Sequence, residues 1–79
     1  MGRSLQLRSY DCTPRVIAET LELRYLVSMH WKVPNYPDFI CYGVTEVEEL
    51  SPEAEEESID QVVAETRRVI VEHFGLSDG

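Results

Sequence analysis

The clearest pattern in the chain is a strict alternation of apolar and mostly polar residues between positions 21 and 33. Seven apolar residues occupy every second position: Leu21, Leu23, Tyr25, Val27, Met29, Trp31 and Val33. Successive side chains in a strand point to opposite faces, so a period of two places all seven on one face. The pattern therefore predicts a long, half-buried β-strand.

A second strand is predicted after the short loop PNYP, because its two prolines cannot donate hydrogen bonds to a sheet. The segment DFICYGVTEVE is rich in aromatic and β-branched residues, which favour strands. Together the two segments predict an antiparallel hairpin over residues 21–48. Apolar residues occur on both faces of its second strand: Phe39, Cys41 and Val47 share one face, and Ile40, Tyr42 and Val44 share the other. We expect the face away from the helix to be covered by the N-terminal segment or by a partner.

The C-terminal region has the periodicity of an amphipathic helix. At about 100° per residue, one arc of about 140° is mostly apolar. It holds Ile59, Val62, Val63, Thr66, Val69, Ile70, His73 and Phe74. A longer helix would bring Glu55 and Glu56 into this arc, where unpaired carboxylates are costly to bury. We therefore predict a helix over residues 58–74, with Ser58 as its N-cap and Gly75 as its C-cap.

The N-terminal third is open to two interpretations. Leu5 and Leu7 alternate as in a strand, whereas Thr13 followed by Pro14 is typical of a helix start. We expect a strand, then a short helix or turn, and then the hairpin. The alternative is that residues 15–20 form the first part of one long bent strand. The predicted fold is thus α+β, a small antiparallel sheet of two to three strands with a C-terminal amphipathic helix packed on one face. At 79 residues, one domain is expected.

The net charge of −8 is concentrated in the middle of the chain. Residues 33–66 contain ten acidic residues and no Lys or Arg. The densest part is interpreted as an acidic connector over residues 46–57, in which Ser51 and Pro52 start at most a short solvated turn of helix. Direct binding to nucleic acid requires clustered basic residues, so this run argues against it.

The candidate binding residues follow from this charge and from one aromatic side chain. The simpler interpretation of the acidic run is a solvated connector. The sharper one is a surface that binds a basic protein surface, such as that of a nucleic-acid-binding protein. An aromatic residue between two prolines at the hairpin turn is a typical contact residue. The residues assigned to partner binding are Tyr36, Glu46, Glu48, Glu49, Glu53, Glu55, Glu56, Glu57 and Asp60.

No catalytic, cofactor-binding or metal-binding residues are predicted. Cys12, His30, Cys41 and His73 follow no known zinc-ligand spacing, and the acidic run lacks the spacing of a calcium loop. A Cys41–His30 nucleophile pair on neighbouring strands would lack a third orienting group. His73 lies within the apolar arc, so we expect it to be partly buried.

The leading hypothesis is a non-enzymatic protein-binding module, such as a small inhibitor or regulator with an acidic surface. One alternative is a small ligand- or metal-responsive regulatory domain. Another is a structural subunit that oligomerises through its sheet, for which a homodimer is expected. The chain shows neither an apolar run long enough to cross a membrane nor a signal-peptide pattern, so a cytoplasmic setting is expected.

Overall fold

A computed structural model of the protein describes residues 5–76 as three strands followed by one helix. The elements are β1 (Gln6–Ile17), β2 (Glu22–Lys32), β3 (Phe39–Val47) and α1 (Pro52–Phe74). Both strand pairs are antiparallel, and β2 lies between β1 and β3. The helix packs on one face of the sheet, across β2 and β3. The predicted α+β architecture, with its hairpin and its C-terminal helix, is confirmed.

The core lies between α1 and the alternating apolar residues of β2. Four side chains of β2 are buried on the helix side: Tyr25, Val27, Met29 and Trp31. Val62 and Ile70 of α1 are buried against this strand face, and Leu5 and Val33 close the same cluster. Burial of a large apolar side chain stabilises the fold by about 1.5–3 kcal/mol, so this strip of contacts is the main source of stability.

β1 runs without interruption through Thr13 and Pro14, so the short helix predicted at these residues is wrong. Pro14 pairs with Tyr25 of β2. It is tolerated because β1 is an edge strand, and one side of an edge strand has no neighbouring strand that needs its N–H groups. The chain reverses after Ile17, whose carbonyl accepts a hydrogen bond from the Leu21 N–H at 2.6 Å. The preferred order of strand, turn and hairpin is therefore observed, with a longer strand and a later turn than expected, and the alternative of a bent strand that starts at residues 15–20 is wrong.

α1 begins six residues before the predicted start, at Pro52 rather than Ser58. Ser51 is the N-cap, since its Oγ accepts a hydrogen bond from the Ala54 N–H at 3.1 Å. Ser58, the predicted cap, is buried within the helix and accepts a hydrogen bond from Thr45 Oγ1 at 2.6 Å. Residues 52–57 of the predicted connector thus belong to α1.

The longer helix is tolerated because the inward side chains of its first turns are small or hydrogen-bonded. Ala54 is half-buried, and the Tyr25 hydroxyl donates to the Ser51 carbonyl at 3.1 Å. Of the two carboxylates expected in the apolar arc, Glu56 is exposed and Glu55 is only half-buried. Neither carboxylate loses all contact with solvent, so the desolvation cost that argued against an early start does not arise.

The helix packs directly against the sheet backbone at Gly43, in the middle of β3. A Cβ atom at this position would overlap Cγ1 of Val62. Glycine therefore allows Val62 to pack directly against the backbone of β3, where it is buried. The position of α1 above β2 and β3 depends on this missing side chain.

Replacing Gly43 with Ala should destabilise the protein by about 1–3 kcal/mol, because the added methyl group forces α1 away from β3. Val62→Ala alone should also destabilise, through a cavity. In the double variant the two changes should partly compensate, and urea unfolding followed by circular dichroism measures this coupling. Strictly additive effects would contradict the close contact.

Replacing Ser51 with Ala should destabilise the protein by about 1 kcal/mol, because the first turn of α1 loses its cap. Ser51→Asn retains a capping oxygen without adding charge, so its stability should stay close to that of the parent. Thermal unfolding of the three proteins tests the observed start of the helix. An unchanged stability of Ser51→Ala would show that the helix begins elsewhere.

Candidate protein-binding surface

The acidic residues singled out by the sequence gather at one end of the molecule, where β3 ends and α1 begins. Glu46 lies on the outward face of β3, and Glu48 and Glu49 lie in the connection to α1. The first half of α1 carries the others: Glu53, Glu55, Glu56, Glu57 and Asp60. All are exposed except the half-buried Glu55. We call these eight residues the acidic end.

The acidic end has little internal neutralisation. Arg24 Nη2 lies 3.3 Å from Glu46 and 3.1 Å from Glu22, on the outward face of the sheet. Such partly exposed pairs contribute little to stability. Within residues 5–76, the other seven carboxylates of the acidic end have no ion pair. Their negative potential is therefore available to a partner.

Tyr36 lies at the opposite end of the molecule, so the predicted binding residues do not form one surface. Its ring packs against Phe74, the last residue of α1, with 4.7 Å between ring centroids. A helix of 23 residues is roughly 34 Å long, and this length separates Tyr36 from Glu53. The structure brings the acidic residues together but leaves Tyr36 apart from them.

The surroundings of Tyr36 also differ in charge from the acidic end. Asp38 lies near three basic side chains, at 3.2 Å from His30 Nε2, 3.5 Å from Lys32 Nζ and 3.9 Å from Arg8 Nη1. Lys32 Nζ also donates to the Tyr36 carbonyl at 3.1 Å. Basic groups are thus gathered around the hairpin turn, and we exclude Tyr36 from the acidic surface.

A groove of about 320 Å³ runs between β1 and the first half of α1. It exists because α1 packs on β2 and β3 and only partly covers the helix side of β1, so that Tyr10 is 54% exposed. Tyr10 and Ile59 supply apolar surface to the groove, and Glu55, Glu56 and Asp60 supply carboxylates. The groove therefore joins apolar and anionic groups within one concave surface.

Sequence analysis identified the carboxylates of this groove but missed its apolar residues. Ile59 was assigned to the core, whereas it lies at the margin of the core and is half-buried. Tyr10 has no assigned role in the sequence analysis, because the position of the helix relative to the N-terminal strand does not follow from the sequence. An aromatic residue on an edge strand can be recognised as part of a groove only when the extent of the strand and the position of the helix are known.

The cysteines and histidines are spread over both faces of the sheet. Cys12 and Cys41 lie on the helix side of β1 and β3, with β2 between them, so they are about 10 Å apart and too distant for a disulfide. His30 pairs with Ile40 and faces away from Cys41, so the two side chains do not form the nucleophile pair that was considered and not predicted.

The remaining histidine and the carboxylates likewise form no metal centre in the described part of the chain. His73 is exposed, so its predicted burial is wrong. Near the C-terminus of α1 the inward positions are Ile70 and Phe74, and His73 is turned away from the sheet. Across residues 5–76, no group of three or more His, Cys, Asp or Glu is arranged to hold a metal ion.

Comparison of the chain with known proteins gives no information on its function, so the function is inferred from the surface chemistry. Searches of protein-family models, curated proteins and solved structures found no match to the chain. Within residues 5–76, α1 is too polar to cross a membrane, and it is the one helix there.

The thiol of Cys12 reports on the carboxylates of the groove. Burial raises the pKa of the Cys12 thiol, and the Glu55 carboxylate raises this pKa further. Burial also raises the pKa of Cys41, with no contribution from Glu55. At a pH below the pKa, a raised pKa lowers the fraction of the thiol that is present as thiolate. The thiolate is the reactive form.

At pH 8 and low salt, Glu55→Gln should increase the rate of Cys12 alkylation by iodoacetamide, because the Cys12 pKa moves towards its ordinary value. The rate at Cys41 should stay unchanged, which provides the internal control. Peptide mapping by mass spectrometry separates the two sites. An equal increase at both cysteines would indicate general loosening of the fold and would contradict the placement of Glu55 beside Cys12.

Proposed function

We propose that the protein is a non-enzymatic binding module that holds a basic segment of a partner protein in the groove between β1 and α1. Three residues of the acidic end line this groove, and the other five supply a wider negative field. The proposal is carried by one observation: Tyr10 and Ile59 share the groove with the carboxylates of Glu55, Glu56 and Asp60.

The groove has the chemistry that an arginine or lysine side chain requires. Both side chains have an apolar stem and a cationic head, and they bury the stem against apolar surface while the head stays with polar groups. Ile59 offers contact to the stem, and the Tyr10 ring offers a face to a cation. Carboxylates bind a guanidinium group through two parallel hydrogen bonds, so we expect arginine to be preferred over lysine.

The class of partner follows from the extent of the negative surface. A cluster of arginine and lysine side chains on a protein is most often built to bind the phosphates of nucleic acid. Eight carboxylates at one end of a small domain can occupy such a cluster in place of phosphates. The protein would then act as an inhibitor or regulator of a nucleic-acid-binding protein. Opposite charges would also accelerate association through steering.

The helical setting of the acids supports binding over a purely solvating role. Five of the eight carboxylates lie on α1, whose first turn is capped by Ser51. A side chain on a folded helix has its backbone already ordered, so binding does not add the cost of ordering a flexible segment. A disordered connector of the same charge would lack this advantage.

A matched pair of triple variants tests the groove. The first removes the groove carboxylates by Glu55→Gln, Glu56→Gln and Asp60→Asn. The second makes the same charge change outside the groove by Glu48→Gln, Glu49→Gln and Glu53→Gln. Binding of a hexa-arginine peptide is followed by fluorescence anisotropy at low salt. It should weaken about tenfold in the first variant, because this variant loses a charge-assisted hydrogen bond. The second should weaken it about threefold or less.

The variant Tyr10→Ala separates the groove from general charge attraction, because it leaves the net charge unchanged. We expect it to weaken hexa-arginine binding as well. Equal losses in the two triple variants, together with no effect of Tyr10→Ala, would reduce the interaction to non-specific attraction and contradict the proposal. A native partner that binds the protein and nucleic acid simultaneously would contradict the inhibitory role.

A further inference from the structure

The edge strand β3 presents apolar surface on both sides of its free edge. On the outward face, Ile40, Tyr42 and Val44 are 60%, 67% and 54% exposed. On the helix side, a second groove of about 350 Å³ lies between β3 and α1, and Val69 beside it is 57% exposed. Four apolar side chains therefore surround one strand edge that has no partner strand among residues 5–76.

The two edges of the sheet differ in their protection against pairing with another strand. β1 contains Pro14, a register irregularity between Leu7 and Ser9, and three charged residues. These features prevent edge-to-edge association in natural sheets. β3 has regular pairing, no proline and a single charged residue, Glu46, close to its end. β3 is therefore the edge that is able to accept another strand.

We infer that a second copy of this chain pairs with β3 in antiparallel fashion, about a two-fold axis near Gly43. The two sheets then form one continuous sheet of six strands. Three of the outward residues of β3 are apolar and evenly spaced about Tyr42, so Ile40 of one copy lies beside Val44 of the other, and the Tyr42 side chains meet at the axis. Such self-complementarity is what a two-fold interface requires.

The position of α1 favours a second copy over an extended peptide as the occupant. Since α1 packs across β2 and β3, its axis is displaced from the two-fold axis by about one strand spacing, near 5 Å. The two helices would therefore run antiparallel about 10 Å apart, close to the usual distance for packed helices. Thr66 and Val69, which line the groove, would face the other helix. A peptide strand alone would leave Val69 exposed.

The charges of the two copies are also compatible with this arrangement. Antiparallel helices place the acidic first half of one α1 beside the second half of the other, where Arg67 and Arg68 balance Glu65 and Glu72. The two acidic ends then point in opposite directions, which limits their repulsion. The groove beside β1 lies at the far edge of each sheet, so the inference holds whether or not the proposed function is correct.

The size of the interface is sufficient for specific association. β3 spans about 30 Å, and the shorter dimensions of the molecule are 21 and 19 Å. The contact would thus cover about 600 Å² on each copy, or about 1,200 Å² in total, which is at the lower end of the range for stable specific interfaces.

Two lysine variants at equally exposed valines test the inference. Val44 on β3 is 54% exposed and Val16 on β1 is 55% exposed, and both lie on edge strands. Sedimentation equilibrium from low micromolar to near-millimolar concentration should show a monomer–dimer equilibrium for the parent. Val44→Lys should weaken dimerisation on the order of tenfold or more, whereas Val16→Lys should leave it unchanged. A monomer at every concentration, or equal effects of the two variants, would overturn the inference.

Hydrogen exchange on the parent protein provides a second measurement in case Val44→Lys fails to fold. The backbone amides of β3 that point away from β2 should exchange more slowly as the protein concentration rises, because they become hydrogen-bonded in the dimer. The exchange of the β1 amides that point away from β2 should not depend on the protein concentration. Exchange in β3 that is independent of concentration, or an equal response in β1, would also overturn the inference.

Discussion

The contact between Val62 of α1 and the backbone of β3 at Gly43 determines what the rest of the molecule exposes. Because a side chain at Gly43 would hold the helix away, its absence lets α1 settle over β2 and β3. The three-stranded sheet is wider than the helix that covers it, so this placement leaves the helix side of β1 only partly covered, with Tyr10 exposed. The groove lined by Tyr10 and the acidic residues is a direct consequence.

The polar contacts at the first turns of α1 explain how so many carboxylates are held on a small domain. Thr45 and Ser58 satisfy each other within the core, and Tyr25 donates to the carbonyl of the N-cap residue Ser51. These hydrogen bonds fix the helix to the sheet where few apolar residues are present. A small domain buries a limited share of its surface, and the acidic residues remain outside the core, where they cost little desolvation.

The parts of the fold that were predictable from the sequence are those in which one residue pattern has one structural meaning. The alternation in β2 specifies a half-buried strand because its buried face follows from a period of two. The pair Thr13–Pro14 has no such unique meaning. A proline at this position suits a helix start or an edge strand equally well, and only the order of strands in the sheet distinguishes them.

The helix shows a different limit. A fixed angular arc assumes that one face of the helix is buried along its whole length. In the structure the inward side rotates along the helix, from Ser58 and Val62 near its start to Ile70 and Phe74 near its end. Val69 at one edge of the averaged arc and His73 within it are consequently exposed. Which carboxylates share a groove with Tyr10 depends on this rotation, so the acidic run was recognisable from the sequence but the site was not.

The placement of α1 on the sheet is the central claim, and it is open to direct measurement in solution. Nuclear Overhauser effects between the Val62 methyl groups and the Hα protons of Gly43 report on the contact itself, with Gly75 as a glycine that has no neighbour within van der Waals reach of its Cβ position. The structure predicts strong effects between Val62 and Gly43. Effects from Val62 to Cys12 or Pro14 of β1, with none to Gly43, would place the helix over the wrong half of the sheet and contradict both the groove and the free edge of β3.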